Sequence, residues 1–254
     1  MNLKNELHSS VFLPRSNHIP EVSLSKKIAI LQSNYIPWKG YFDLIHQVDE
    51  FVLFDDMQYT RRDWRNRNQI KTKTGLQWMT IPVEVKGKFS QKIKDTKVAD
   101  HLWPKEHWKT LLHNYAAAPH FERYKDLFEK TYRECQDEEF LSQINHKFLT
   151  AICGLLEIQT KISWSMGHAL AEGKTERLVG LCQNLGASAY LSGPAAKDYM
   201  VPEKFREAGI SLEFMDYGGY PPYPQLFNGF FHEVSILDLL FNQGPEAVKY
   251  MKSF

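Results

Sequence analysis

The feature of this sequence that most constrains the fold is a pair of short apolar runs separated by one helical pattern. The runs, at residues 28–32 and 51–54, have the length and composition of buried strands. The residues between them predict a helix at 40–48 with its apolar residues on one face. A strand, a helix and a second strand within about thirty residues form a βαβ unit, with parallel strands and a right-handed connection. The sequence therefore predicts an α/β protein.

The later part of the chain repeats this alternation of short strands and helices. Gly186 and Gly209 follow two of the helical patterns, where a left-handed C-cap residue is expected. Such alternation is typical of an open, mostly parallel sheet. The strands are predicted at 162–165, 189–192 and 211–214, and the helices at 175–185 and 203–208.

The region between these two parts is predicted to be a helical insertion at about 101–158, with helices at 121–135 and 140–156. A further strand is predicted at 78–85, followed by a lysine-rich loop or hairpin at 86–97. Residues 1–26 show no sustained period and are predicted to be an N-terminal extension, with one α/β domain at 27–254. The last helix is predicted at 235–242, with Ser235 as N-cap and Asp238 completing a near capping box.

Charge and composition exclude several classes of protein. With 31 basic and 30 acidic residues, a net charge of +1 does not supply the positive surface that nucleic-acid binding requires. No run approaches the ~18 consecutive apolar residues of a membrane span, and the N-terminus has no apolar signal core. Three cysteines lie far apart in predicted helices, which favours reduced, packed thiols over a metal site. We expect a cytoplasmic protein that binds neither metal nor nucleic acid, and its oligomeric state stays open.

The candidate ligand-binding residues lie in loops after predicted strands, because open parallel sheets bind ligands at the carboxyl ends of their strands. The first loop, residues 32–41, leads into a helix N-terminus, where free N–H groups and the helix dipole favour an anion. An ordinary turn that needs proline and glycine explains the same residues equally well. The candidate cofactor-binding residues here are Gln32, Asn34, Tyr35, Trp38 and Gly40.

The second loop, residues 55–68, opens with two carboxylates and continues with four arginines, two asparagines and a tryptophan. Arginine forks match phosphate and carboxylate groups, and an indole can stack on a base or cover a sugar. The alternative is a solvated charged loop. In the binding interpretation Asp55 is a catalytic carboxylate, and the substrate-binding residues are Gln58, Trp64, Arg65, Asn66 and Arg67.

The third loop, residues 192–199, contains small residues that allow a ligand to approach the backbone closely. Ser192 and Gly193 are candidates for cofactor binding, Lys197 for catalysis and Tyr199 for substrate binding. A plain turn explains this loop nearly as well. The sequence contains no G-x-S-x-G elbow, no G-x-G-x-x-G and no Walker loop. The aromatic cluster between Tyr217 and Phe231 is more typical of a core than of a binding wall.

Several blocks in order, spread over residues 28 to about 250, resemble the WbqC-like family. They are ILQSNYIPWKGYF at 30–42, FDDMQY at 54–59, WRNR at 64–67, YLSG at 190–193 and LDLLFN at 237–242. The resemblance implies a role in bacterial O-antigen and lipopolysaccharide biosynthesis, where an amino acid such as glycine is attached to an amino sugar. It implies a transferase or ligase that forms an amide with a nucleotide-linked amino sugar. A non-catalytic nucleotide-sugar binding or scaffold protein of the same pathway is the alternative.

The chain is also similar, at the level of the fold, to the HUP superfamily of adenylating enzymes, including pantothenate synthetase, which makes an amide through an acyl-adenylate. The similarity rests on the strand-end loop with Pro37 and Gly40 and on the turn before Tyr199. It implies a HUP- or Rossmann-like sheet and ATP as cofactor. Trp38 and Tyr41 replace the paired histidines of that pattern, which leaves the use of ATP open.

Overall fold

The computed structural model describes residues 25–254, which contain seven strands in two sheets. Five strands form a parallel sheet, and the third and fourth strands along the chain form an antiparallel hairpin. The predicted α/β fold with an open parallel sheet is confirmed. In chain order the strands are β1 (Lys27–Leu31), β2 (Glu50–Leu53), β3 (Arg67–Thr72), β4 (Gly75–Thr80), β5 (Lys161–Trp164), β6 (Ala189–Ser192) and β7 (Ser211–Phe214).

The strand order, β5-β2-β1-β6-β7, places a topological switch point between β1 and β6. β2 and then β5 lie on one side of β1 in the sheet, and β6 and then β7 lie on its other side. β1 accordingly pairs in parallel with both β2 and β6. In such sheets the loops that leave the two central strands diverge and open a crevice at the carboxyl ends, where ligands bind.

The helices agree with the sequence prediction to within one or two residues where one was made. The helical region predicted at 101–158 consists of three helices, and Gly186 and Gly209 have the expected left-handed φ values of 65° and 70°. The helices are α1 (Lys39–His46), α2 (Trp103–Tyr115), α3 (Phe121–Glu134), α4 (Leu141–Leu155), α5 (Lys174–Asn184), α6 (Pro202–Glu207) and α7 (Ile236–Gln243).

The start of α7 is predicted in part. The hydroxyl oxygen of Ser235 accepts a hydrogen bond from the Leu237 N–H, which confirms the N-cap. Asp238 does not close a capping box, because its carboxylate accepts hydrogen bonds from the hydroxyls of Tyr115 and Tyr223 at 2.8 and 2.9 Å. These two charge-assisted bonds turn the carboxylate into the protein interior.

The hairpin of β3 and β4 differs from the prediction of a charged loop followed by a strand at 78–85. Its two strands meet at a turn in which Gly75 has a φ of 117°, a conformation that favours glycine. β3 contains a single large apolar residue, Ile70, so its sequence shows no alternation that would identify a strand. Lys71 is buried beside it, and its ammonium donates to the carbonyl oxygens of Phe227 and Gly229. Distant carbonyl groups therefore allow a lysine at a buried strand position.

The two faces of the parallel sheet pack into separate apolar cores. One face packs against α1, α2, α3, α4 and α7, and the other against α5 and α6. The three cysteines are free and buried, as predicted. Within residues 25–254, no helix combines the length and apolar character needed to cross a bilayer.

Candidate functional site

A cavity of about 630 Å³ at the carboxyl end of β1 is the candidate functional site. Its wall is formed by the loops after β1, β2 and β7, by one residue of β3 and by the segment that precedes α7. A cavity of this size accommodates a small organic ligand. The residues that line it are Asn34, Pro37, Trp38, Trp64, Asn68, Tyr217, Gly219, Tyr220, His232 and Glu233.

Trp38 forms the aromatic wall of the cavity together with two tyrosines of the loop after β7. Its ring meets those of Tyr217 and Tyr220 edge-on, with centroid distances of 5.2 and 5.4 Å. A Cβ atom on Gly40 would collide with the Trp38 indole, so only glycine leaves room for the ring to fold back over α1. The structure thus brings together two candidates from the first loop.

Asn34 connects the first loop to the arginine-rich second loop. Its side-chain oxygen accepts a hydrogen bond from Nη1 of Arg65. Nη2 of Arg65 lies 3.7 Å from the Asp63 carboxylate, a distance that gives a weak ion pair. The guanidinium of Arg65 therefore lies next to the cavity, between Asn34 and Asp63.

Asn68 holds the backbone of the first loop in a strained conformation. Its Nδ2 donates to the carbonyl oxygens of residues 35 and 36, at 3.1 and 2.9 Å. Ile36 has a φ of 36°, in a region that β-branched residues rarely adopt. Strain of this kind persists only where the surrounding structure imposes it, and it clusters at functional sites. The two amide hydrogen bonds of Asn68 supply that restraint here.

Lys39, the first residue of α1, places a buried charge behind the aromatic wall. It is 2% exposed, and its Nζ donates to the carbonyl oxygen of Pro221 at 3.1 Å. The same atom lies 5.0 and 5.1 Å from the ring centroids of Tyr220 and Tyr223. Burial lowers the pKa of this ammonium to about 8, against the opposing effect of Asp43 one turn later.

His232 and Glu233 contribute an imidazole and a carboxylate to the cavity wall, and both are exposed. Partial desolvation at the cavity wall and the nearby charge of Lys39 lower the pKa of His232, so this imidazole is mainly neutral at pH 7. A neutral imidazole and a carboxylate can each accept a proton from a ligand. The arrangement can therefore support proton transfer at this end of the cavity.

Asp55 lies in the protein interior and does not line the cavity. Its Oδ1 accepts the backbone N–H of Ser33 at 2.8 Å, and its Oδ2 accepts the hydroxyl of Ser142. Burial raises the pKa of the Asp55 carboxyl, and the hydrogen bonds from Ser142 and Ser33 oppose this effect. Asn145 donates to the Ser33 hydroxyl at 2.9 Å and completes the network. These contacts tie the loop after β1 to α4.

Tyr35 is also buried, among the helices of the insertion. Its hydroxyl is hydrogen-bonded to Nδ1 of His107 and to the hydroxyl of Tyr132, both at 2.8 Å. Its ring packs against Trp103 and Phe148. The structure thus places this candidate in the core, where it anchors the first loop.

Three further candidates from the first two loops make contacts with the backbone. Gln32 accepts a hydrogen bond on its carbonyl oxygen from the Tyr41 hydroxyl at 2.8 Å. The side-chain amides of Gln58 and Asn66 donate to carbonyl oxygens of residues 89 and 81, each at 2.8 Å. These residues therefore shape the loops around the cavity without lining it.

The third loop lies at the edge of the site. Gly193 faces the cavity wall, because a Cβ atom added to it would lie 3.9 Å from the Tyr217 hydroxyl, and Ser192 beside it is buried. Lys197 and Tyr199 are exposed, and Nζ of Lys197 lies 5.0 Å from the Phe214 ring centroid. Neither of these two side chains lines the cavity.

Several lining residues were not identified from the sequence. The cluster after Tyr217 was expected in the core, yet Tyr217 and Tyr220 face the cavity. The available signal was position, because this segment follows the carboxyl end of β7 and contains the turn-forming pair Gly218 and Gly219. The other lining residues that the sequence analysis missed are Asn68, Gly219, His232 and Glu233, and Lys39 lies behind the aromatic wall.

Comparisons with known proteins identify the family. A model of the WbqC-like protein family matches residues 32–250, a range that contains every residue lining the cavity. A Mycobacterium tuberculosis H37Rv protein named "Uncharacterized protein Rv1507c" is 53% identical over 227 residues, which cover 89% of this chain and 98% of that protein. No solved structure matches the chain significantly. The chain therefore belongs to the WbqC-like protein family.

Proposed function

We propose that this chain is a cytoplasmic transferase or ligase that forms an amide between an amino acid, such as glycine, and the amine of a nucleotide-linked amino sugar in O-antigen or polysaccharide biosynthesis. The observation that carries the proposal is the cavity at the carboxyl end of β1, which combines aromatic faces with polar groups. Aromatic rings such as Trp38 and Tyr220 suit the apolar face of a sugar. The guanidinium of Arg65 beside the cavity suits a phosphate or a carboxylate.

The chemistry requires a proton acceptor. The sugar amine attacks the acyl carbon, a C–N bond forms, the bond to the leaving group breaks with its electron pair, and the nitrogen loses one proton. Glu233 and the neutral imidazole of His232 are assigned as acceptors of that proton, because they line the cavity. A free amino acid must first be activated, so ATP is the co-substrate of this proposal only if the acyl donor is a free acid.

The buried candidates act through other residues in this proposal. Asp55 positions the loop after β1, and Asn68 restrains the same loop from β3. Gly193 and Ser192 border the second half of the crevice, beside Tyr217. Lys197 and Tyr199 remain proposed contacts at the open edge of the site.

A non-catalytic nucleotide-sugar binding or scaffold protein is the second candidate. The observation that favours it is the small number of reactive groups, since the cavity wall contains one imidazole and one carboxylate. A scaffold would bind the same ligand and release it unchanged.

A turnover assay on the full chain tests the proposal. Glycine, ATP and UDP- or dTDP-linked amino sugars are incubated with the protein, and the N-acylated sugar is measured by mass spectrometry. Glu233→Gln is expected to lower turnover by about a hundredfold or more while nucleotide-sugar affinity is retained. The matched control is Glu129→Gln, an exposed carboxylate on α3, which should leave turnover unchanged. Saturable binding without any product would support the scaffold, and an absence of both binding and product would overturn both candidates.

A further inference from the structure

Two exposed tryptophans and an arginine form a surface of mutually tilted rings next to the cavity, which we call the indole platform (Trp64, Trp78 and Arg67). Trp64 and Trp78 are each 40% exposed, although large aromatic side chains are usually more buried. Their ring centroids lie 5.4 Å apart, with an interplanar angle of 39°. The guanidinium carbon of Arg67 lies 3.9 Å from the Trp78 centroid. Trp64 also lines the cavity, so the platform and the cavity form one continuous surface.

The segment that contributes Trp64 and Arg67 to the platform has an excess of positive charge. Residues 61–67 include four arginines and one aspartate, Asp63. That carboxylate already accepts the Thr60 hydroxyl and the Trp64 N–H, at 2.6 and 2.7 Å. In the part of the chain that the structure describes, the one ion pair of this segment joins Asp63 to Arg65 at 3.7 Å. Positive charge beside exposed aromatic faces matches the phosphates and the base of a nucleotide.

Two guanidinium groups of the platform region have hydrogen-bond donors without acceptors. The Nε atoms of Arg65 and Arg67 are both buried and have no hydrogen-bond partner among the described residues. A buried donor without a partner costs free energy. Each guanidinium also donates within the protein, Arg65 to the side-chain oxygen of Asn34 and Arg67 to the carbonyl oxygen of Arg62, and its remaining N–H groups can donate to an acceptor on a ligand. A protein partner packed on the tryptophans would account for their exposure but not for the two Nε donors that lack acceptors.

The platform is held rigidly against the rest of the site. The backbone carbonyl of Trp64 accepts the Tyr35 N–H at 3.0 Å, and that of Arg65 accepts Nδ2 of Asn145 at 2.9 Å. Trp78 is fixed by its β-ladder pairing with Gln69. Since these backbone positions are set without a ligand, little ordering entropy opposes binding.

We infer that the indole platform is the nucleoside diphosphate subsite of this protein. The base stacks on Trp78 and Trp64 outside the cavity, the diphosphate contacts Arg65 and Arg67, and the sugar enters the cavity. The inference rests on the proposed function, because it divides one nucleotide-linked substrate between two subsites. It places the nucleotide on the hairpin rather than over the crevice between β1 and β6.

Tryptophan fluorescence of the full chain tests the inference without any turnover. The chain is titrated with UDP, dTDP, ADP and GDP, and with inorganic pyrophosphate. At least one nucleoside diphosphate is expected to bind and quench emission. Trp78→Ala and Trp78→Leu should each weaken its affinity roughly tenfold to a hundredfold, and Arg67→Ala should weaken both the nucleotide and pyrophosphate. Phe89→Ala, at another exposed aromatic residue, is the matched control and should leave the affinity unchanged.

The outcomes separate this inference from the proposed function. Circular dichroism melts first confirm that each variant is folded, which is expected because Trp78 is exposed. Failure of every nucleoside diphosphate to bind, or equal affinity in both Trp78 variants and the unchanged chain, overturns the inference. If the amide still forms on an amino sugar 1-phosphate that lacks a base, and the Trp78 variants keep that activity, the proposed chemistry stands without this subsite. Nucleotide binding that depends on the platform, with no amide formed on any donor, supports the subsite and removes the proposed chemistry.

Discussion

Replacement of the buried lysine behind the cavity, Lys39→Met, is expected to stabilise the protein. The ordinary pKa of a lysine, 10.5, lies about 2.5 above the value of about 8 that Lys39 has in the fold. At 1.36 kcal/mol for each pKa unit, burial of the charge costs about 3 kcal/mol at pH 7. Loss of the hydrogen bond to Pro221 offsets about 1 kcal/mol, and solvent screening near the open cavity reduces the penalty further. The variant should therefore gain about 1–2 kcal/mol at pH 7.

The pH dependence of this gain follows from the lowered pKa. Between about pH 8 and 10.5 the unfolded chain binds more protons at this position than the folded chain. The stability of the unchanged protein relative to the variant therefore rises with pH across this window. The advantage of Lys39→Met should be largest below pH 8 and should shrink as the pH approaches 10.5. Groups that do not interact with Lys39 titrate alike in both proteins and cancel in the difference, and His232, whose pKa Lys39 lowers, titrates below this window.

Urea denaturation of both proteins at pH 7 and at pH 10 measures the difference in the free energy of unfolding. Lys73→Met, at an exposed lysine in the turn of the hairpin, is the matched control and should change stability by less than about 0.5 kcal/mol. A variant less stable than the unchanged chain at pH 7, or a difference that does not depend on pH, would refute the reasoning. A stabilised variant that binds anionic ligands more weakly would indicate that Lys39 is retained for function.

Three further predictions concern the residues that shape the loop after β1. Asp55→Ala should lower the free energy of unfolding by about 2–4 kcal/mol, because the Ser33 N–H and the Ser142 hydroxyl lose their buried acceptor. A urea midpoint close to that of the unchanged chain would contradict this. Gly40→Ala should displace the Trp38 indole and weaken nucleotide-sugar binding by about tenfold, as measured by calorimetry, with a far smaller effect from Gly180→Ala, whose added Cβ meets open space. Asn68→Ala should release the strained turn at Ile36, lower the free energy of unfolding by about 1–2 kcal/mol and weaken nucleotide-sugar binding. Unchanged nucleotide-sugar affinity would show that the strain serves no function.

Much of the fold could be predicted because its signals are local. The strands of the parallel sheet are short apolar runs, and β6 and β7 lie at the predicted residues. The Ser235 cap and the two C-cap glycines depend on neighbours only a few residues away. The hairpin was missed because Lys71 and Asn68 are buried there through contacts with carbonyl groups far along the chain. Local periodicity contains no information on such contacts.

The candidate site was predictable in location and less so in its individual residues. The rule that ligands bind after parallel strands pointed to loops that line the cavity, and Asn34, Trp38 and Trp64 are among its lining residues. Asp55 and Tyr35 come from the same loops but turn inward, because their partners lie on helices of the insertion. Which way a polar side chain faces depends on those partners, and Ser142 is 87 residues away from Asp55.

The sequence by itself determined the α/β class, the order of the strands and helices along the chain, and the loops that could hold a ligand, because alternating apolar runs and turn residues act over short distances. Only the tertiary structure decided the composition of the site. Tyr217, Tyr220 and His232 reach the cavity because the segment after β7 packs against β3 and the loop after β1. Lys71 donates to two of its backbone carbonyls, and Trp38 packs against its rings. Contacts between segments so distant in the chain arise from packing of the whole core, so no short stretch of sequence encodes them.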